Sequence, residues 1–376
     1  MPRWQQQDTS AISDEEYQHY ILQGVSRTFA LTIPQMPDAL ELVTGNAYLL
    51  CRITDTIEDD VRLSLEEKHS YIEQFLKVVA GRSDAESFAQ ALLPLLGKEC
   101  PAAELDLIRH TERVIRVTHS FVPAQQAILL RCVTVMAGGM AHFQALENPF
   151  GLDDMSQLNS YCYHVAGVVG EMLTALFCDY SDEMAAGESQ MMQLSLHFGQ
   201  GLQMTNILKD VREDMSRGVN WLPRDLFARH GVDLADLPAV FETDGFAEVI
   251  ERLIAVAHEH LRKALSYTLM IPAHEKGIRR FCLWAIAMAI KTLAKINEDR
   301  NYLRPDSTKI TRNSLRGIIL MCNASVGSDR LSEMLFDWWA RKLPDPVTSP
   351  LVAKTLNVIA CEVSDSDQSE RLSFSR

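Results

Sequence analysis

"ALELVTGNAYLLCRITDTIEDD", residues 39–60, runs an apolar helical pattern straight into a cluster of carboxylates. Positions i, i+3 and i+4 of a helix share one face, so Asp55, Glu58 and Asp59 converge. The same Asp-x-x-Glu-Asp spacing returns at Asp210, Glu213 and Asp214, after a second apolar lead-in, "LSLHFGQGLQMTNIL" (194–208). No Lys or Arg is read as a neutraliser along the first set's own face, and like charges within one turn repel. A solvated surface explains one such triple, since 50 acidic residues in 376 supply about one by chance. Two triples, each closing a helix apolar enough to be buried, call for a ligand. Mg²⁺ is a hard ion that takes one or two carboxylates together with substrate phosphates and water. Two acidic faces opposite one another across a cavity are therefore expected to hold Mg²⁺ ions bridging to a diphosphate, with Mn²⁺ as a second candidate. Asp60 is expected to lie on the surface, outside this set.

The surrounding chain reads as helical throughout. Ser13 with Glu16 and Ser64 with Glu67 are capping-box pairs, and Gly81 is placed to end the second of these helices. Pro101 and Pro123 bracket one amphipathic segment. Further helices are expected over 37–60, 124–146, 155–178, 186–216, 245–268, 276–298 and 312–340. Strand-like alternation with hairpin turns is absent, so the fold class is all-α. One domain over 1–345 is expected, followed by a mobile tail, 346–376, with a short helix at 350–362.

With 36 Lys and Arg against 50 Asp and Glu, the formal charge is −14. That argues against general nucleic-acid binding and against simple electrostatic docking on an anionic membrane. It also makes a metal the natural adaptor for an anionic substrate. Eight cysteines are scattered without a C-x-x-C pair, which argues for buried thiols in a reducing compartment rather than zinc or disulfides. The N-terminus has no apolar signal-peptide core, and the longest uncharged apolar run, 281–290, is too short to span a bilayer. A cytoplasmic location, peripheral to a membrane at most, is the expectation.

Four ordered stretches add to this. "SRTF" (26–29), "YLLCRITDTIEDD" (48–60), "YCYHVAGVVG" (161–170) and "QMTNILKDVREDMSRGVNWLP" (203–223) resemble the signatures of the squalene/phytoene synthases, the head-to-head prenyl transferases. The resemblance runs over roughly 15–300. A fifth, "RRFCLWAIAMAIKTLAKI" (279–296), is similar to the late signature of the squalene synthases within that family, although it lacks the proline of the eukaryotic version. There is no Gly-x-Gly-x-x-Gly after a strand, so a Rossmann nucleotide site is not on offer.

The resemblance implies an isoprenoid-synthase-type helical bundle around a central channel. It further implies Mg²⁺-dependent joining of two farnesyl diphosphates through presqualene diphosphate, then reduction by NADPH to squalene. A dehydrosqualene or phytoene synthase working without NADPH is the alternative, and a non-catalytic helical partner of the same fold is the second. Asp55, Asp59, Asp210 and Asp214 are implied to act at the reacting diphosphates, with Glu58, Glu213 and Asn206 completing the metal set. Ser26, Arg27, Arg52, Gln203, Lys209, Arg212 and Arg217 are candidates for diphosphate contact. Tyr161 matches the family's catalytic tyrosine, with Tyr163 as the alternative, and Phe29, Val165, Gly167, Phe281 and Trp284 are candidate channel residues.

Overall fold

The computed structural model describes residues 7–347 apart from 27, 98, 147–148, 300–302 and 305–306. Arg27 and the short helix expected at 350–362 lie outside these described residues. Contacts gather the chain into two compact units, Met1–Ala145 with Ala175–Asp182, and Leu146–Thr174 with Glu183–Arg376. Among the described residues there is no strand, only one isolated bridge between Leu152 and Pro223.

The first unit holds α1 (Asp14–Val25), α2 (Phe29–Thr32), α3 (Asp38–Asp59), α4 (Leu65–Val79), α5 (Ala85–Leu92), α6 (Ala102–Arg109), α7 (Thr111–Ser120) and α8 (Pro123–Ala145). Both capping boxes form: Ser13 and Ser64 accept from the N–H of Glu16 and Glu67, whose side chains reach back. Gly81 follows α4 at φ +69, a left-handed conformation that costs glycine nothing. Arg82 and Gly81 then return their N–H groups to Lys77 and Val78.

α3 is the central element, packed against α1, α4, α6, α7 and α8. Leu40, Val43, Ala47, Leu50, Ile53 and Ile57 supply its buried side at helical spacing. Within that apolar face the fully buried Asn46 donates to Gln18 at 3.1 Å and to the Val114 carbonyl at 2.9 Å, and accepts from Thr118 at 2.8 Å. These directional bonds fix the rotation of α3 about its own axis, and so decide which way Asp55 points two and a half turns later.

The second unit holds α9 (Met155–Cys162), α10 (Val168–Tyr180, its last turns counted with the first unit), α11 (Asp182–Ala185), α12 (Glu188–Ser216), α13 (Arg224–Ala228), α14 (Asp244–Met270), α15 (Lys276–Glu298), α16 (Arg312–Ser325) and α17 (Asp329–Ala340). The long α12 lies against α14, α15 and α9. Inside the α12–α14 seam, His197 and His260 meet Nδ1 to Nδ1 at 2.8 Å, both buried. Burial pushes His197 down to about 3 and His260 well below its ordinary value, so both are neutral and one donates to the other. α15 is the apolar run 281–290 of the sequence, and it is core. Arg279 near its start is buried yet satisfied, by the Ile271 carbonyl at 2.7 Å and Asp329 at 2.7 Å.

Four departures from the expected elements have physical causes. The bracketed segment 102–122 breaks at His110, which leaves helical geometry at φ −110 and ψ 29, giving α6 and α7. The segment 312–340 breaks at Val326–Ser328, where Gly327 interrupts and Ser328 caps α17 through the Leu331 N–H. The expected helix 155–178 is interrupted at Tyr163–Gly167 by a π-turn, closed by the Val168 N–H on the Tyr163 carbonyl. Finally, Asp60 is not on the surface: at 8% exposure it accepts from the Arg62 N–H at 2.8 Å and the Gly97 N–H at 2.7 Å.

Two stretches, Pro123–Ala145 and Met155–Tyr180, are long and apolar enough to cross a membrane by length and composition. Of their most apolar windows 44% and 67% are buried in the packing, as core helices also are. Both carry charged residues, Arg131 in the first and Glu171 and Asp179 in the second, so a search for uncharged runs passes over them.

Candidate active site

In the first unit the candidate residues form a chain of contacts along the last turns of α3. Ser26 ends α1 and accepts from the Phe29 N–H at 2.9 Å, which starts α2. The Phe29 ring sits 5.3 Å from Tyr48, whose hydroxyl donates to the Val25 carbonyl at 3.2 Å. Arg52 donates to that Tyr48 hydroxyl at 3.0 Å and approaches Asp55 at 3.7 Å and Glu104 at 4.0 Å. Thus Arg52, three residues before Asp55, partly neutralises the acidic face from within the helix, contrary to the expectation that no cation does. Its Nε is buried with no acceptor.

Asp55 keeps 25% of its side-chain surface but is crowded by protein. Loss of hydration is the main cause that pushes its carboxyl up to about 6. Arg52 pulls the other way, and the charges of Asp59 and Glu104 push further. Glu58 is half-buried and Asp59 exposed. The Glu58 carbonyl, left over at the helix end, accepts from Lys68 and from Gln144 at 3.0 Å. Glu104 was not among the candidates. It arrives on α6, accepts from Thr56 at 3.0 Å, and is raised chiefly by burial. Nothing in its local sequence marks it.

In the second unit Asp210 is half-buried, Glu213 exposed and Asp214 buried at 6%. Burial again dominates in pushing Asp214 up to about 6. Arg217, 2.6 Å from it, opposes the shift and Asp210 and Glu213 add to it. Lys209 contacts Asp210 at 3.0 Å and Asn206 at 3.3 Å, so it is a local counter-ion. Arg212 is exposed and donates to the Leu303 carbonyl at 3.3 Å, and Gln203 is half-buried on α12. The helix closes directly after the set, with the N–H groups of Gly218 and Val219 on the Met215 and Asp214 carbonyls at 3.0 and 3.1 Å.

Tyr161 lies on α9, just before the π-turn, with its ring stacked on Trp221 at 3.9 Å and 10°. Trp221 is 8% exposed and was not a candidate, although its place beyond the second acidic set was a signal. The segment carrying it is held next to α9 by the Leu152 N–H on Leu222 and the Arg224 N–H on Leu152, both at 2.9 Å. Tyr163 is fully buried and donates to Glu171 at 3.3 Å. Val165 and Gly167 lie in the π-turn itself. α12 reaches this turn so closely that a Cβ on Gly199 would stand 2.4 Å from the Ala166 carbonyl. Phe281 and Trp284 are buried on α15, and the Trp284 Nε1 has no acceptor.

Among the described residues no three His, Cys, Asp or Glu side chains converge closely enough to hold a cation alone. The donors at both acidic sets are all carboxylate or amide oxygen, which is the chemistry of a hard ion that also takes phosphate and water as ligands. None of the seven described cysteines takes part in a disulfide.

Compared with known proteins, residues 22–314 match the family described as squalene/phytoene synthase. A squalene synthase of Eremothecium gossypii is 26% identical over 336 residues, which is 88% of this chain and 73% of that protein. The solved complex of TcSQS with the ligand BPH1237 superposes with a TM-score of 0.72 at 20% identity, over 93% of this chain and 99% of that one. A dehydrosqualene synthase with bound ligand gives 0.59 at 18% identity, over 83% and 96%. These likenesses in structure are of fold.

Proposed function

Because the chain belongs to the squalene/phytoene synthase family, we propose that it is a squalene synthase: it joins two farnesyl diphosphates head to head through presqualene diphosphate and reduces that intermediate with NADPH. The observation that carries the reading is one family match running from residue 22 to 314, through both acidic sets and Tyr161. The catalytic domain is taken as 1–345. Squalene synthase, rather than a reductant-free relative, is favoured by the curated relative of Eremothecium gossypii and by the 279–296 stretch.

Ionising an allylic diphosphate breaks a C–O bond, and the leaving group departs with the electron pair and needs its charge met. Asp55, Asp59, Asp210 and Asp214 would hold Mg²⁺, with Glu58, Glu213 and Asn206 in support. The metal supplies that charge neutralisation when bound. Two features support the fit: the all-oxygen donor set, and the buried, acceptor-less Nε of Arg52, a donor awaiting an anion. Ser26, Arg52, Gln203, Lys209, Arg212 and Arg217 are proposed to meet the diphosphates, and Arg27 with them. Lys209 and Arg217, already on Asp210 and Asp214, would share their charge with an incoming phosphate.

Tyr161 is proposed to handle the proton lost as the cyclopropane closes. A free phenol titrates near ~10, so the hydroxyl needs a stronger base, such as the released diphosphate, to pass the proton to. Tyr163, committed to Glu171, suits a supporting role. NADPH is taken as a diffusing co-substrate with no residue assigned. Phe29, Val165, Gly167, Phe281 and Trp284 are proposed to border the prenyl chains.

The test is incubation with farnesyl diphosphate and Mg²⁺, with and without NADPH, and mass analysis of the hydrocarbon. Squalene only with NADPH is expected. A conjugated triene regardless of reductant would make the chain a dehydrosqualene or phytoene synthase, and no product at all would make it a non-catalytic relative. Asp55→Asn and Asp210→Asn should each remove Mg²⁺-dependent turnover, and normal activity in either sinks the metal assignment.

A further inference from the structure

We propose that the outward face of α16 and α17 docks on an anionic lipid surface. In a chain of net charge −14, residues 307–328 contain Lys309, Arg312 and Arg316 and no Asp or Glu. That makes α16 a basic amphipathic helix in an acidic protein. Its inner side is Ile318, Cys322 and Ser325, turned to the core, which leaves Leu320 72% exposed on the opposite side. α17 repeats the arrangement. Ser332, Phe336 and Trp339 point inward, while Leu331, Met334 (58% exposed) and Trp338 (48%) form an outward stripe at i, i+3 and i+7. The two helices pack against each other and both rest on α15, so their outward sides look the same way.

The occupant follows from charge and side-chain type together. Two of the three acids on α17 are engaged by cations of the layer beneath, Asp329 by Arg279 at 2.7 Å and Asp337 by Arg262 at 3.2 Å. Glu333 is the remaining acid on this helix and is exposed. Against it, Arg312, Arg316 and Arg330 are exposed, and among the described residues none of them forms an ion pair with a carboxylate. Local cations around exposed Leu, Met and Trp match the headgroup boundary of an anionic bilayer. There guanidinium meets lipid phosphate and an indole sits at the level of the headgroups. Lys291 lies 5.4 Å from the Trp338 ring and 5.3 Å from Trp339, adding a cation beside the indole pair. A protein partner reading the same face would have to tolerate an apolar stripe ringed by unpaired cations; a lipid surface is built for it.

The experiment is flotation of the full chain with phosphatidylglycerol-containing vesicles and with neutral phosphatidylcholine vesicles, at low and high salt. Binding to the anionic vesicles is expected, weakened by salt. Arg312→Gln with Arg316→Gln should lower the vesicle partition coefficient by about 25-fold, at roughly fivefold per cation. Leu320→Ser with Trp338→Ser should lower it by about tenfold as well. All four side chains are exposed, so circular dichroism and turnover on dispersed substrate should match the parent. Parent-like flotation of both variants, or failure of the parent to float with anionic vesicles, overturns the proposal. So does lipid-free dimerisation, read by sedimentation velocity, that the Leu320/Trp338 variant abolishes; the face would then belong to a second copy. Prenyl product identity does not enter any of these readouts.

Discussion

Asp59 and Asp60 are neighbours with opposite tasks. Asp59 is exposed beside the other carboxylates of α3, while Asp60 turns inward and accepts the backbone N–H groups of Arg62, just past the helix, and of Gly97, in the stretch after α5. Asp60→Ala orphans both donors and should cost about 2–3 kcal/mol in a urea titration; a change within 0.5 kcal/mol of zero, the ~0.5 kcal/mol scale of ordinary surface substitutions, would mean those bonds carry no stability. Tyr161→Phe is the complementary case. The ring stays on Trp221, so stability should move by less than about 1 kcal/mol, yet presqualene diphosphate should cease to form. If the intermediate still appears at the parental rate, the proton role belongs elsewhere. At this scale the acidic spacing was legible because its members lie within one helical turn; Tyr161 stood out only through the signature around it. Glu104 and Trp221 were not, because each reaches its neighbour from a distant segment.

Helices were legible where a cap or a full turn of apolar spacing announced them, as at Ser13, Ser64 and the length of α12. They were missed where the signal was short: α5 has only 8 residues, and Gly327 splits α16 from α17 with a single residue. The π-turn at Tyr163–Gly167 was illegible because its side chains suit an ordinary helix; α12 passes it at Gly199, where there is no room for a side chain. Gly199 tests this. Glycine to alanine in mid-helix ordinarily stabilises by about 1 kcal/mol. Here the new Cβ would stand 2.4 Å from the Ala166 carbonyl and 2.7 Å from the Gly167 nitrogen, so Gly199→Ala should instead destabilise by about 2–3 kcal/mol. Turnover should also fall, since Tyr161 lies just before this turn on α9. A stabilised variant would show that α12 can back away freely.

Across the whole molecule, acid should act in two stages. His197 and His260 are held below their ordinary value, so the stability they allow is present above the unfolded value of 6.5 and is lost as pH falls toward about 3. Asp14, held down to about 2 chiefly by Arg116, contributes stability present above 3.8 and lost as pH falls through about 2. Hydrogen exchange should therefore report loss of protection in α12 and α14 between pH 6.5 and 4, while α1 and α7, joined through Asp14, Arg113 and Arg116, hold until lower pH. Equal protection of α12 at pH 7 and 5 would remove the histidine pair from this account. Neither stage was legible in advance: histidines 63 residues apart give no hint that they share a proton.

The π-turn also bears on how such a helix could change over generations. α9 and α10 are one rod with one residue more than an α-helical ladder accommodates, and that residue is taken up between Tyr163 and Gly167. Deleting a single residue there would restore a regular ladder and swing everything before it by about 100° relative to Gly170, lifting Tyr161 from Trp221 without altering either side chain. The aim of the tyrosine is thus encoded in a residue count, and a one-codon deletion would re-aim it where a point substitution could not.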